Sequence, residues 1–115
     1  MEFVRFSREI IDELMVKYTE SLREALGDNL KAVVLYGSCA RGDNDEHSDI
    51  DVLVLVEDDD RSAKDSISRL ESNHCLDYDA TLCSTIRSFA WYTKYYHEPL
   101  YQNIRQEGHT YYGVA

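Results

Sequence analysis

The segment Leu35–Val56 reads LYGSCARGDNDEHSDIDVLVLV and constrains the fold more than any other part of the chain. A short apolar run ends at Gly37 and Ser38, a polar loop follows, and Asp49 and Asp51 stand at the start of a second apolar run. Alternate side chains of a β-strand point to the same face, so the two aspartates are expected to lie side by side. Adjacent carboxylates repel each other unless a cation lies between them. The segment therefore predicts two buried strands joined by a loop, with a cation site where the second strand begins.

Apolar periodicity and capping residues divide the rest of the chain into helices and strands. The predicted elements, in chain order, are a helix capped by Ser7 that ends near Leu26, a strand over Lys31–Tyr36, a strand over Ile50–Val56, a helix from Asp60 to about Ser72, a strand over Leu76–Cys83, a helix opened by Ser84, and a last helix that starts at Pro99 and closes at Gly108. Helices that alternate with strands favour an α/β or α+β fold. We expect one domain over residues 1–115, with a mixed β-sheet of about three to five strands flanked by helices.

A third carboxylate is expected on the predicted strand Leu76–Cys83. Asp77 and Asp79 share one face of that strand, and a neighbouring position in the sheet would bring one of them to Asp49 and Asp51. Three carboxylates can hold two divalent ions, one that activates an attacking oxygen and one that holds a triphosphate. Hard oxygen ligands of this kind suit Mg²⁺, which shares its coordination shell with substrate phosphates.

The Gly-Ser pair is a candidate phosphate-binding loop. Gly37 lets a phosphate approach the backbone closely, and Ser38 at the start of a short helix can donate hydrogen bonds to it. Arg41 adds a positive charge close by. The loop is not a P-loop, because the Lys-Ser or Lys-Thr ending is absent.

Charge and composition exclude several classes of protein. The formal net charge is -10, and nine acidic residues but no Lys or Arg lie between Asp43 and Asp60. Such a face repels the phosphate backbone, so a sequence-independent DNA or RNA binder is not expected. No signal peptide or membrane-spanning run is expected, and three cysteines in no metal-like spacing favour a reduced, cytoplasmic setting.

The Gly-Ser pair and the two aspartates together resemble a known family. An apolar strand, Gly37-Ser38, ten residues and then Asp49-Ile50-Asp51-Val52 resemble the signature of the nucleotidyltransferase superfamily related to DNA polymerase beta. The form GSCARGDNDEHSDIDVLV is most similar to the minimal nucleotidyltransferases, which include MntA-type antitoxins encoded beside HEPN-domain toxins. The segment NIRQEG, Asn103–Gly108, also resembles the end of many minimal members.

This resemblance implies an enzyme with a small nucleotidyltransferase fold. The implied reaction moves a nucleotide monophosphate, AMP from ATP, to a hydroxyl acceptor, with Mg²⁺ as cofactor. The implied site residues are Gly37 and Ser38, which would bind the triphosphate, and Asp49 and Asp51, which would be catalytic and ligate Mg²⁺.

The third family carboxylate maps to the third strand, about five positions before the serine that opens the next helix. With that helix predicted to begin at Ser84, the resemblance favours Asp79 as the third catalytic and metal-binding carboxylate. Asp77 stays the alternative.

A protein is the expected acceptor. The 115 residues leave little room for an added acceptor domain, and the acidic face argues against tRNA. The antitoxin-like form implies a HEPN toxin modified on tyrosine, in a hetero-oligomer. Two alternatives stay open: a small-molecule nucleotidyltransferase that works as a homodimer, and a non-catalytic antitoxin that acts by binding alone.

Overall fold

A four-stranded mixed β-sheet lies between two layers of helices. The computed structural model describes residues 7–45, 47–113 and 115. Its elements, in chain order, are α1 (Arg8–Leu26), β1 (Leu30–Tyr36), α2 (Ser38–Arg41), β2 (Ile50–Val56), α3 (Arg61–Tyr78), β3 (Leu82–Ser88), α4 (Phe89–Lys94), α5 (Pro99–Glu107) and β4 (His109–Gly113). The strand order is β3-β2-β1-β4, in which β1 pairs antiparallel with β2 and β4, and β2 pairs parallel with β3. The predicted mixed sheet flanked by helices is therefore confirmed.

Strand β2 is buried on both faces, and its two faces contact different helices. Val52, Val54 and Val56 pack with α1 and α3, whereas Leu53 and Leu55 pack with α4 and α5. Alternation along the strand places Asp51 on the second of these faces, with Leu53 and Leu55, as the sequence predicted. The site therefore lies on the α4–α5 side of the sheet, at the end where β2 begins.

The helix starts follow the predicted caps. The hydroxyl of Ser7 accepts a hydrogen bond from the Ile10 amide, and the Asp60 carboxylate accepts one from the Ala63 amide. Helix α1 ends at Gly27, and both strands of the Leu35–Val56 segment form as predicted, with β1 one residue longer at its start. No helix among the described residues is both long and apolar enough to cross a bilayer.

Replacing Asp60 with alanine should lower the free energy of unfolding by about 1 kcal/mol, because α3 loses its N-cap. Urea denaturation measures the change. The control is Asp58→Ala, since Asp58 is an exposed acid of the same loop that is not the cap of α3. Equal midpoints for the two variants would contradict the capping role.

The predicted strand Leu76–Cys83 and the helix opened by Ser84 are wrong. Residues Leu76–Tyr78 are the last turn of α3, and Ser84 lies inside β3. The period of two in LDYDA coincides with the end of a helical pattern: Leu70, His74 and Tyr78 follow one another at helical spacing, and the His74 ring nitrogen bonds the Leu70 carbonyl at 2.8 Å.

Asp79 then ends the helix in a left-handed conformation with φ 49°. The serine that opens the next helix is Ser88, whose hydroxyl accepts a hydrogen bond from the Trp91 amide at 3.0 Å. Asp77 and Asp79 therefore do not lie on a strand beside β2.

Candidate active site

Asp51 occupies a central position in the sheet. Its backbone pairs with Tyr36 of β1 on one side and with Cys83 of β3 on the other. Asp49 precedes the strand, and its carbonyl lies 3.5 Å from the Cys39 sulfur of α2. The next amide, that of Ile50, bonds the Thr81 carbonyl at 2.8 Å and so fixes the start of β2 against the start of β3.

Gly37 brings the backbone of the loop after β1 against the Asp51 carboxylate. Its φ is 76°, a left-handed conformation that favours glycine. A Cβ atom at this position would lie 2.5 Å from Asp51 Oδ2. The loop and the carboxylate therefore form one closely packed unit, and a side chain at residue 37 would separate them.

Helix α2 begins at Ser38, directly after Gly37. The Gly37 carbonyl accepts from the amides of Ala40 and Arg41, both at 3.1 Å, and the Ser38 carbonyl accepts from Gly42 at 2.9 Å. These bonds place the Ser38 side chain, which is partly buried, at the N-terminal end of the single helical turn. The predicted phosphate loop is thus a strand, a glycine and a helix start, next to Asp51.

Arg41 lies at the other end of α2 in an ion-pair network. Its Nε lies 3.2 Å from Asp43 Oδ2, and its Nη1 lies 3.3 Å from Glu107 Oε2. Burial and the Asp49 charge raise the pKa of Asp51, and the guanidinium offsets part of this rise, so its charge acts on the Asp51 carboxylate. Arg41 is half-exposed and can exchange one carboxylate partner for a phosphate at little cost.

The segment NIRQEG contacts the predicted phosphate loop from the C-terminal side through Glu107. Glu107 holds Arg41, and the next strand residue, His109, has its Nε2 2.8 Å from the Ala40 carbonyl of α2. Ile104 and Val34 are buried in the same apolar cluster, and a Cβ on Gly108 would overlap the Ile104 carbonyl oxygen. The resemblance noted at this segment therefore corresponds to contacts that hold α2 in place.

Charge repulsion is present between the two aspartates. Burial and the neighbouring Asp49 carboxylate raise the pKa of Asp51 above its usual 3.8, and Arg41 offsets this in part. A divalent cation between the carboxylates would relieve the repulsion, and their oxygens are the donors that Mg²⁺ prefers. The residues present fit such an ion.

The two aspartates do not complete a metal site alone. Within residues 7–45, 47–113 and 115, no group of three or more His, Cys, Asp or Glu side chains is placed to hold a metal ion. Phosphate oxygens and water would have to supply the remaining ligands, as is usual for Mg²⁺.

Neither Asp77 nor Asp79 lies on a strand beside this pair. Both are exposed at the end of α3, and the charge of Asp77 acts on Lys17 of α1. The residue that does lie next to Asp51 is Cys83, which the prediction missed. In the family, the third carboxylate lies about five positions before the serine that opens the next helix. Here that serine is Ser88, at the start of α4, and the residue five positions before it is Cys83.

Comparison with known proteins identifies the family. The family described as "Nucleotidyltransferase domain" matches residues 16–107. A relative from Methanocaldococcus jannaschii, MJ0141, whose name describes it as a candidate protein adenylyltransferase, is 39% identical over 79 residues, which is 68% of this chain and 79% of the relative.

Two solved structures share the fold. A candidate nucleotidyltransferase from Sulfolobus solfataricus covers 97% of this chain and 90% of its own, with a TM-score of 0.65 and 16% identity. A chain in the structure of the tri-AMPylated Shewanella oneidensis HEPN toxin in complex with MNT antitoxin covers 90% of this chain and 73% of its own, with a TM-score of 0.56 and 20% identity.

The chain belongs to the nucleotidyltransferase domain family, as the spacing of Gly37, Ser38, Asp49 and Asp51 predicted. The family and its adenylyltransferase relatives confirm the predicted enzyme class. The chain is a nucleotidyltransferase.

Proposed function

We propose that this enzyme transfers AMP from ATP to a hydroxyl of a partner protein, that the transfer requires Mg²⁺, and that the partner is a HEPN-domain toxin which the modification silences. The observation that carries the proposal is the packing of the Gly37 backbone against the Asp51 carboxylate. A phosphate group and a carboxylate-bound cation must meet at such a point for nucleotidyl transfer. Relatives named for protein adenylylation, and a fold shared with a chain of an AMPylated toxin–antitoxin complex, support the choice of nucleotide and acceptor.

In this proposal each element around the loop has one task. Gly37 admits the triphosphate to the backbone, and Ser38 donates to it from the start of α2. Arg41 exchanges Asp43 or Glu107 for a phosphate oxygen. Asp49 and Asp51 hold the divalent cation, which when bound neutralises the charge of the triphosphate. Asp77 and Asp79 have no task here.

The chemical step is an in-line displacement at the α-phosphorus. The acceptor hydroxyl releases its proton to solvent, its oxygen forms a bond to this phosphorus, the bond to the bridging oxygen of the β-phosphate breaks, and pyrophosphate leaves with that electron pair. The protein contributes position and electrostatics, because the loop and the two carboxylates keep the α-phosphate fixed while charge moves onto the leaving group.

The test combines the protein with ATP labelled at the α-phosphate, Mg²⁺ and the HEPN-domain protein encoded beside it. We expect label on the partner, and at least about a thousandfold slower labelling by the Asp49→Asn/Asp51→Asn variant. The matched control, Glu57→Gln/Asp58→Asn, removes two exposed acids at the opposite end of β2 and should label the partner normally.

Three results would count against the proposal. Label that persists in the Asp49→Asn/Asp51→Asn variant would contradict the assigned site. ATP binding without any label on the partner would favour a small-molecule acceptor, and a stable homodimer in gel filtration would agree with that alternative. Inhibition of the partner with neither label nor ATP binding would favour a binding antitoxin.

A further inference from the structure

Helices α4 and α5 expose an aromatic patch on the face of the sheet that carries the site. Trp91 is 45% exposed and Leu100 is 49% exposed, and Phe89 and Tyr96 are exposed as well. The buried ring of Tyr92 connects two of them, with its centroid 6.2 Å from that of Phe89 and 5.7 Å from that of Tyr96. These four exposed side chains, together with Arg87, Lys94 and Arg105, are called the α4–α5 patch below.

Arg105 of α5 holds the patch in one arrangement. Its guanidinium donates to the Tyr92 hydroxyl at 2.7 Å and to the Tyr96 carbonyl at 2.6 Å, and it lies 3.6 Å from the centroid of the Tyr96 ring. The Trp91 indole donates to the Tyr101 hydroxyl at 3.2 Å. A surface that is already ordered loses little side-chain entropy on binding. Trp, Tyr and Arg are also the residue types that dominate the centres of protein interfaces.

The patch is basic on a chain that is strongly acidic. Residues 80–106 contain three basic side chains and one acid, Glu98, whereas the whole chain has 22 acidic and 12 basic residues. Arg87 lies 5.8 Å from the centroid of the Trp91 ring, so positive charge and apolar surface are interleaved. A partner surface that carries carboxylates is repelled by the net charge of the chain and attracted by this patch.

Helix α5 connects the patch to the predicted phosphate loop. The helix begins at Pro99 and ends at Glu107, which forms an ion pair with Arg41 at 3.3 Å. A rise of 1.5 Å per residue puts the two ends of the helix about 12 Å apart. An interface of standard size covers about 800 Å² on each partner and is about 28 Å across. A partner centred on the patch is therefore wide enough to extend over the loop and Asp51.

We propose that the α4–α5 patch is the docking surface for the acceptor protein, and that the partner surface it binds carries carboxylates beside apolar side chains. The inference rests on the proposed function and names the surface through which the acceptor is held. Burial of Trp91 and Leu100 supplies affinity, and the partner carboxylates pair with Lys94 and Arg87. A single-stranded nucleic acid also stacks on aromatic rings, but it carries a charge on every nucleotide, and the net charge of -10 favours a protein.

The first test uses Trp91 as a reporter, because it is the single tryptophan of the chain. The protein labelled with fluorotryptophan gives one fluorine NMR resonance from the centre of the patch. We expect this resonance to shift when the HEPN-domain protein encoded beside this chain is added. The Asp49→Asn/Asp51→Asn variant should show the same shift, because docking does not require transfer.

A second reporter on the other side of the sheet serves as the matched control. Val16→Trp adds a resonance from an exposed position of α1, and this resonance should stay in place when the partner is added. An unchanged Trp91 resonance at saturating partner would overturn the inference. A shift that follows the concentration of this protein alone, in place of the partner, would indicate a second copy and would also overturn it. The same holds for a shift caused by a single-stranded oligonucleotide and not by the partner.

The second test separates docking from chemistry by the kinetics of labelling. Lys94→Glu/Leu100→Ala removes one cation and one apolar side chain from the patch, both exposed. We expect KM for the partner to rise at least about tenfold, with kcat at saturating partner retained. The matched control is Lys64→Glu/Leu76→Ala, which makes the same two changes at exposed positions of α3, on the opposite face of the sheet. It should keep the wild-type KM.

The outcomes distinguish this inference from the proposed function. Equal KM values for the two double variants would overturn the inference while the proposed function stands. A shifted Trp91 resonance without any label on the partner would mean that the proposed function fails while the docking surface stands. Absence of both the shift and the label would overturn both.

Discussion

Replacing Asp51 with asparagine is expected to raise the thermal unfolding midpoint of the ligand-free protein by about 2–4 °C and to lower nucleotidyl transfer by about a hundredfold to a thousandfold. The two effects have one cause. The Asp51 carboxylate is partly buried beside Asp49, so its charge opposes folding until a cation binds. Asparagine keeps the shape, removes the charge and loses the metal ligand. Partial exposure of the site keeps the gain in stability small, because solvent screens the repulsion.

The difference in stability between the wild-type protein and Asp51→Asn should depend on pH in a direction set by the pKa of Asp51. The folded protein raises the pKa of Asp51 above 3.8, so the folded state binds the proton more tightly than the unfolded state. Stability from this group is therefore lost as pH rises from about 3.8 through the folded-state pKa. The midpoint of the Asp51→Asn variant should exceed that of the wild-type protein at pH 7, and the difference should vanish below about pH 4.

Thermal unfolding at several pH values, with Asp58→Asn as the exposed control, measures the difference. A lower midpoint for Asp51→Asn at pH 7 would show that the carboxylate stabilises the empty fold and would contradict the repulsion. Addition of Mg²⁺ and an ATP analogue should reverse the order, because only the wild-type protein gains stability from the bound ion.

Gly37→Ala is expected to reduce transfer by about a hundredfold, since a shift of about 1 Å at a reacting centre has an effect of this size. The new Cβ would lie 2.5 Å from Asp51 Oδ2, so either the loop or the carboxylate must move. The left-handed φ of 76° adds a backbone cost of about 1–2 kcal/mol.

The chain offers a matched control for the backbone cost. Gly42 ends α2 with φ 86°, and a Cβ there would meet no atom within 4 Å. Gly42→Ala should therefore lose stability in urea denaturation through its positive φ alone, and it should retain most of the transfer activity. Equal activity in the two variants, measured at a temperature where both are folded, would contradict the role of the close contact between residue 37 and Asp51.

The parts predicted correctly from the sequence depend on local signals. The faces of β2 follow from strict alternation, and the start of α1 follows from the Ser7 cap. The third strand was misplaced because Asp77 and Asp79 produce a period of two at the end of a helix. Helix α3 ends at Asp79, a non-glycine residue with a positive φ. Sequence patterns seldom reveal a helix end of this kind.

The position of Cys83 depends on tertiary pairing. The parallel register of β2 and β3 determines which residue of β3 lies beside Asp51. No local pattern in LCSTIRS specifies that register. Once the start of α4 at Ser88 is known, the family spacing points to Cys83 directly. Because the sequence analysis began this helix at Ser84 and not at Ser88, the same spacing pointed to Asp79 and not to Cys83.

The ion pair between Glu107 and Arg41 joins two parts of the chain that are synthesised at different times. The loop at residues 37–42 is made early, but the groups that hold it, Glu107 and His109, are near the end of the described chain, and β4 pairs with β1 rather than with its neighbour in sequence. The predicted phosphate loop thus gains these supports only after β4 has been synthesised and has paired with β1.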